Sequence, residues 1–131
     1  MGLVYVTIAL RNPIEPDLKP IEVKALVDTG AVTLCIPQWI ATQLKLPVKS
    51  SRKVIIADGK SVEAPYVGPV EVRFGDRFSF TGALVVGGET VLLGAVPLED
   101  MDLVIDPRSQ NVTVNPDSPD IPSAIVMRAD S

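Results

Sequence analysis

The segment Ala25-Leu26-Val27-Asp28-Thr29-Gly30-Ala31 puts a carboxylate at the end of an apolar run and follows it with a hydroxyl residue and a glycine. An acid at the end of a buried strand loses hydration unless it is hydrogen-bonded or put to use. Asp-Thr-Gly alone also fits a strand-ending Asx turn, so the surrounding pattern has to separate the two. The chemistry open to the chain is narrow. It contains no histidine, which excludes Ser-His-Asp and Cys-His nucleophile systems, histidine metal sites and imidazole proton shuttles. Its one cysteine, Cys35, can form neither an intrachain disulfide nor a multi-cysteine zinc site. Catalysis would therefore run on carboxylates, lysine or tyrosine. A lone carboxylate is a poor amide hydrolase, because cleavage needs a base to activate water and an acid to protonate the departing nitrogen. Two copies of Asp28 facing each other across a two-fold axis would supply both while sharing one proton.

Other residues compete for attention. Asp58 and Lys60 flank Gly59 and could touch a substrate backbone, although Asp-Gly is also a common hairpin turn. The acidic group Glu99, Asp100, Asp102 and Asp106 lacks an EF-hand spacing and reads as a solvated face, so no metal is expected. Cys35, inside an apolar strand with no histidine to activate it, reads as a small core residue. Trp39 reads as helix-to-core packing. Gly87-Gly88 has neither a Walker lysine nor the dinucleotide-fold spacing, so no phosphate or nucleotide cofactor is indicated.

The elements that must position Asp28 are mostly strands. Val4, Val6, Ile8 and Leu10 recur at every second position, the mark of a strand with one buried face. Ile21 to Val27 is a second strand whose apolar end suggests burial on both faces. A short strand at Thr33 to Ile36 leads to a helix over Pro37 to Leu46, on the spacing of Ile36, Trp39, Ile40 and Leu44, with Pro47 to stop it. Lys53 to Ile56 and Ser61 to Val67 flank Asp58-Gly59 as a projecting hairpin, because both residues of an Asp-Gly pair tolerate positive φ. Val70 to Phe74 and Arg77 to Thr81 form a second hairpin across Gly75-Asp76, and Ala83 to Val86 continues it. Val91 to Leu93, a short helix over Pro97 to Met101, and strands at Leu103 to Ile105 and Val112 to Val114 complete the pattern. The Pro- and Asp-rich tail from Pro116 reads as mobile, with Ile121 to Met127 as a patch that would add an edge strand to a partner.

Val91-Leu-Leu-Gly-Ala95 repeats the strand-Gly-Ala arrangement of Val27-Asp-Thr-Gly-Ala31, and a proline-opened helix signal follows each copy. With Gly94 laid on Gly30, Leu92 falls where Asp28 stands, so each chain carries one acid and one apolar counterpart. In this the chain resembles the retropepsin-like aspartic proteases, whose subunits carry a hydrophobic-hydrophobic-Asp-Thr/Ser-Gly-Ala/Ser loop and a later hydrophobic-hydrophobic-Gly loop that braces it. The resemblance covers residues 3 to 114, and the Asp58-Gly59 hairpin stands where that family has its flap. The helix after the acid loop makes it look more like cellular and prokaryotic single-domain members, including the protease-like domain of DNA-damage-inducible proteins, than viral ones. The resemblance implies an all-β, closed barrel-like acid-protease fold with one or two short helices, functional as a homodimer. It implies catalytic roles for Asp28, Thr29 and Gly30: the acid on water, the hydroxyl across the dimer, and the glycine amide holding the carboxylates coplanar. It implies substrate contacts from Ala31, Ile56, Ala57, Asp58, Gly59, Leu93 and Gly94. Ile55, Ile56 and Leu93 would line pockets for an extended peptide. Ala31 carries no hydroxyl to stabilise an ionised acid, so activity is expected toward mildly acidic or neutral pH.

Composition bounds the rest. A chain of 131 residues, 47% hydrophobic, suits one domain, here residues 1–115 with a tail over 116–131. Twelve basic residues against sixteen acidic ones give a net charge of −4, which argues against nucleic acid as the main partner. No apolar run reaches membrane-span length, and the single cysteine suits a reducing, cytoplasmic setting. The expected partners are a peptide or protein substrate and a second copy of the chain, with no cofactor. Two alternatives stand beside the endopeptidase: a non-catalytic dimeric peptide-binding or assembly module on the same scaffold, and a heterodimer with a partner that brings its own acid loop.

Overall fold

A computed structural model describes residues 3–126. Strand β1 (Tyr5–Arg11) buries Val6, Ile8 and Leu10 and turns Tyr5 and Thr7 outward, as its alternation requires. It pairs antiparallel with β2 (Ile21–Val27). There Ala25 alone of the apolar end is fully buried, and Leu26 and Val27 are half-buried, so the two-sided burial expected of this run is incomplete in the single chain.

Strand β3 (Leu34–Ile36) leads into helix α1 (Gln38–Gln43), which is shorter than the ten residues its spacing predicts. The Leu44 amide still donates to the Ile40 carbonyl at 2.9 Å, but its own φ/ψ of −86°/0° leave the helix and Lys45 takes φ +52°, so the chain has turned before Pro47 is reached. Ile36, Ile40 and Leu44 are completely buried, but Trp39 is 48% exposed. In so short a helix one face suffices for the core, and Trp39 lies about 100° round from Ile40. It is therefore a surface residue, not a core one. The buried Asn12 side chain donates to the Leu44 carbonyl at 2.9 Å and accepts from the Ile14 amide at 2.9 Å, satisfying the helix end.

Strand β4 (Val48–Ile55) pairs antiparallel with β5 (Ser61–Phe74), which pairs in turn with β6 (Arg77–Val85). The two strands expected at 61–67 and 70–74 are one bent strand, with a register shift between Val67 and Val70. The bend sits at Gly68, whose φ of +154° and close approach to Gly82 suit only glycine. Gly75 has φ +57° in the two-residue β5–β6 turn, as a type II′ hairpin requires.

Strand β7 (Val91–Leu93) then inserts between β2 and β3, parallel to the former. The sheet order is β1-β2-β7-β3-β6-β5-β4, and β5 also pairs with β1. Six strands thus close into a barrel around Ile8, Leu10, Leu34, Ile36, Val70, Val72 and Leu93, with β4 outside the ring. Helix α2 (Ala95–Asp100) starts two residues earlier than its proline suggests, and a separate ribbon follows, β8 (Leu103–Asp106) with β9 (Asn111–Val114).

The tail after β9 differs from the loose segment its composition suggests. Arg77, 4% exposed, donates to the carbonyls of Met101 at 3.0 Å and of Ser118. Asp102 accepts from Asn115 Nδ2 at 3.0 Å and from the Ser123 amide at 2.8 Å, and the Ser118 and Ser123 hydroxyls lie 2.7 Å apart. Residues 115–123 are thereby laced to the barrel, while Ile121, Ile125 and Val126 are exposed and form no strand in the single chain. Met127, the last residue of the expected apolar patch, lies outside the described residues.

Candidate active site

Asp28 is carried by a strand that cannot move without its neighbours. β2 is paired on both sides, with β1 and with β7. The Val27 amide donates to Val4 at 2.8 Å, and the Asp28 amide continues the parallel ladder by donating to the Leu93 carbonyl at 3.0 Å. Beyond Asp28 the chain turns tightly. The Ala31 amide donates to the Asp28 carbonyl at 3.0 Å, and the Gly30 amide donates to Asp28 Oδ1 at 3.0 Å. One carboxylate oxygen is thus held by the loop. Among the described residues the other makes no hydrogen bond and is not sealed from solvent.

Gly94 explains how the loop is braced. Ala95 and Val96 donate their amides to the carbonyls of Ala31 and Val32 at 2.8 and 2.9 Å. The two loops therefore cross in backbone contact, and a β-carbon at Gly94 would lie 2.7 Å from the Ala31 oxygen. The internal repeat in the sequence is the trace of this crossing. Thr33 adds a tie that its sequence neighbourhood did not announce: its hydroxyl donates to the Gly82 carbonyl at 3.1 Å and lies 3.4 Å from the Thr81 hydroxyl. A hydroxyl residue three positions beyond Gly30 in an otherwise apolar run was the available signal.

The other expected site residues fall into two groups. Thr29 and Gly30 are exposed beside the half-buried Asp28 and Ala31. Ile56, Ala57, Asp58 and Gly59 form the tip of the β4–β5 hairpin, all solvent-facing. There the Gly59 amide donates to Ile56 and the Ile56 amide to Lys60, both at 2.9 Å, while Asp58 Oδ1 accepts from the Lys60 amide. Gly59 takes φ +86°, and Asp58 is not among the positive-φ residues. The tip is a type I turn closed by a glycine bulge, in which Gly59 alone of the Asp-Gly pair uses the positive φ that both tolerate. Among the described residues no hydrogen bond joins this tip to the Asp28 loop. Leu93 is completely buried in the barrel core, so it cannot line a peptide pocket and instead supports the floor from within. Gly94 is also buried, against the backbone of Ala31 and Thr33.

The secondary candidates resolve simply. Burial, and after it the negative charge of Asp28, pushes the Cys35 thiol above its usual range, which keeps it protonated. Among the described residues no group of three or more potential ligands converges as a metal site, and Asp102 of the acidic run is engaged by the tail. No described helix is long and apolar enough to cross a membrane.

No curated protein matches the chain. A family profile does: the family described as gag-polyprotein putative aspartyl protease matches residues 18–114, a span that takes in the Asp28 loop, the β4–β5 hairpin, the Gly94 brace and both helices. The match spans more than half of the chain and the strands close into a six-strand barrel, so the chain belongs to this family of retropepsin-like aspartyl proteases.

Proposed function

We propose that the protein is an aspartic endopeptidase working as a homodimer, with Asp28 of each chain forming the catalytic dyad. The observation that carries this is the Asp28 loop: one carboxylate oxygen is fixed by the Gly30 amide and the other makes no hydrogen bond among the described residues. A single such group can take a proton from water but has no partner acid, so the chemistry asks for a second copy. In the dimer the ionised carboxyl accepts a proton from water as its oxygen attacks the peptide carbonyl. The protonated carboxyl then passes its proton to the departing nitrogen as the C–N bond breaks.

The substrate is an extended peptide lying beneath the β4–β5 hairpins as an added strand, held by main-chain hydrogen bonds. Ile55 and Ile56, exposed near the hairpin tip, favour apolar residues around the scissile bond. Thr29 bonds across the dimer, and Ala31 leaves the ionised acid without a hydroxyl donor, so activity extends toward mildly acidic and neutral pH.

The test is cleavage of a diverse peptide mixture from pH 4 to 7.5, read by mass spectrometry, with Asp28→Asn alongside. The variant keeps an oxygen for the Gly30 amide and retains the fold, and turnover is expected to fall about 10³-fold or more. Undiminished cleavage by Asp28→Asn would overturn the assignment.

A further inference from the structure

The outer face of β5 and β6 carries a feature that neither the barrel nor the Asp28 loop uses. The chain has six aromatic residues, and three of them, Tyr66, Phe78 and Phe80, lie on this face. Phe78 and Phe80 remain 45% and 57% exposed, stacked edge to face at 5.4 Å. Such exposure forgoes the burial that normally justifies a phenyl ring. Guanidinium groups cover two of the rings: Arg73 lies 5.1 Å from the Phe78 centroid, and Arg52 lies 4.0 Å from that of Tyr66.

A cleft of about 330 Å³ opens on this face, lined by Lys49, Tyr66, Gly68, Pro69, Phe80 and Gly82. Gly82 is bare because the Tyr66 ring lies directly on it, and with Arg52 over the same ring Tyr66 is held in place as one wall of the cleft. Phe80 also walls a second groove of about 680 Å³, which Glu99, Asp100 and Asp102 line. Neither cavity includes a residue of the Asp28 loop. The face is thus graded in charge. No carboxylate lines the cleft at its Lys49 end, and among the described residues neither Lys49 nor Arg52 has a carboxylate within salt-bridge distance, whereas Arg73 is held by Glu71 at 3.6 Å. Beyond Phe80 the sign reverses.

We propose that this face is a peptide-docking site separate from the Asp28 loop. Its ligand is an extended segment with acidic residues at one end, set on Lys49 and Arg52, and proline or aliphatic residues at the other, set on Pro69 and Phe80. Flat aromatic and proline surfaces suit the extended, hydrogen-bond-free backbone of proline-containing segments. Lys49 and Arg52, close together and without a salt-bridge partner among the described residues, supply the complementarity for acid. Glu99 and Asp100 repel acid beyond Phe80 and so fix the direction in which the segment lies.

The test is titration of the ¹⁵N-labelled full chain, in the Asp28→Asn background so that no cleavage intervenes. The probe is acetyl-Asp-Glu-Asp-Pro-Leu-Pro-amide, with matched peptides bearing Asn-Gln-Asn or Lys-Arg-Lys at the charged end. Saturable amide shifts are expected at Arg52, Tyr66, Phe80 and Gly82, with affinity at least tenfold above that for the lysine peptide and lost at 0.5 M salt. Arg52→Glu and Lys49→Glu should each weaken binding about tenfold. Phe80→Ser, a change at an exposed position, should weaken it about fivefold with the fold intact by circular dichroism. Equal binding of the three peptides, no shift at millimolar peptide, or indifference to Arg52→Glu would each overturn the proposal. So would a fall in sedimentation coefficient on Phe80→Ser without any effect on peptide binding, since the face would then belong to a second copy of the chain.

Discussion

A β-carbon placed on Gly94 would lie 2.2 Å from the carbonyl oxygen of Thr33, closer than any folded chain tolerates. The contact is with backbone, so no side-chain rotation relieves it. The Asp28 loop and the β7–α2 junction therefore pack as two main chains with nothing between them, and the stiffness of the carboxylate's support follows from that contact.

Gly94→Ala should accordingly cost about 3 kcal/mol of stability and should reduce any peptide turnover further than the lost stability alone explains. Urea denaturation read beside cleavage at a denaturant-free, fully folded temperature separates the two effects. Stability equal to wild type would refute the crossing as described.

Gly30→Ala tests the other side of the loop. Its β-carbon would sit 3.2 Å from Asp28 Oδ1, tight enough to push on the carboxylate itself. Peptide cleavage and urea denaturation, measured side by side, should show a folded protein with much reduced turnover. The balance is the reverse of that at Gly94, because the displaced group is a side chain facing solvent.

The tail is held by a charge. Hydrogen bonds from the Ser123 amide first, and then from Asn115, lower the Asp102 carboxyl below its ordinary value of 3.8. A lowered value in the folded state means that the ionised form is the one bound, so the contribution is complete above 3.8 and is lost as pH falls through the lower value. The Ser123 amide resonance should therefore titrate with a midpoint below 3.8, and residues 115–123 should exchange their amides freely under more acidic conditions. Arg77→Met, which orphans the Met101 and Ser118 carbonyls, should cost about 2 kcal/mol and expose the tail to proteolysis at neutral pH.

Cys35 offers a probe of the opposite sign. Its thiol is raised above 9.0 by burial and by the Asp28 charge, so the native state holds that proton more tightly than the unfolded chain does. The group leaves stability unchanged below 9.0 and subtracts from it as pH rises beyond. A thiol reagent at pH 8 should label the unfolded chain promptly and the native chain only at the rate of opening. Prompt labelling of native protein would contradict the buried placement.

Asn12→Ala removes both the donor to Leu44 and the acceptor for Ile14, leaving a buried carbonyl and an amide without partners. A loss of about 2 kcal/mol is expected by urea denaturation, and exchange should quicken first around residues 43–46.

Local chemistry accounts for what the residues reveal by themselves. Alternation marks β1 and β6, because a strand with one buried face must repeat every second residue. Gly75 and Gly59 mark two hairpins, because few residue types besides glycine take their φ. The Asp28 loop and its Gly94 counterpart are visible because an apolar run that ends in a carboxylate, and recurs with leucine at that position, is not what packing alone selects. The tertiary structure settles matters of distance. That β5 is one strand follows from β1 and β4 pairing with different halves of it, a long-range choice no window of sequence contains. Trp39 leaves the core because Ile40, about 100° round the helix from it, takes the buried face, and the far end of that helix is satisfied by Asn12 from more than thirty residues away. Leu93 lies in the core and not in a pocket because barrel closure, not its own neighbourhood, sets which face of β7 points inward. The tail docks because Arg77, buried by the barrel, needs carbonyl partners that the local chain does not supply. Residue types and spacing thus settle which local shapes are possible, while burial and the satisfaction of buried polar groups, which depend on segments remote in sequence, select among them.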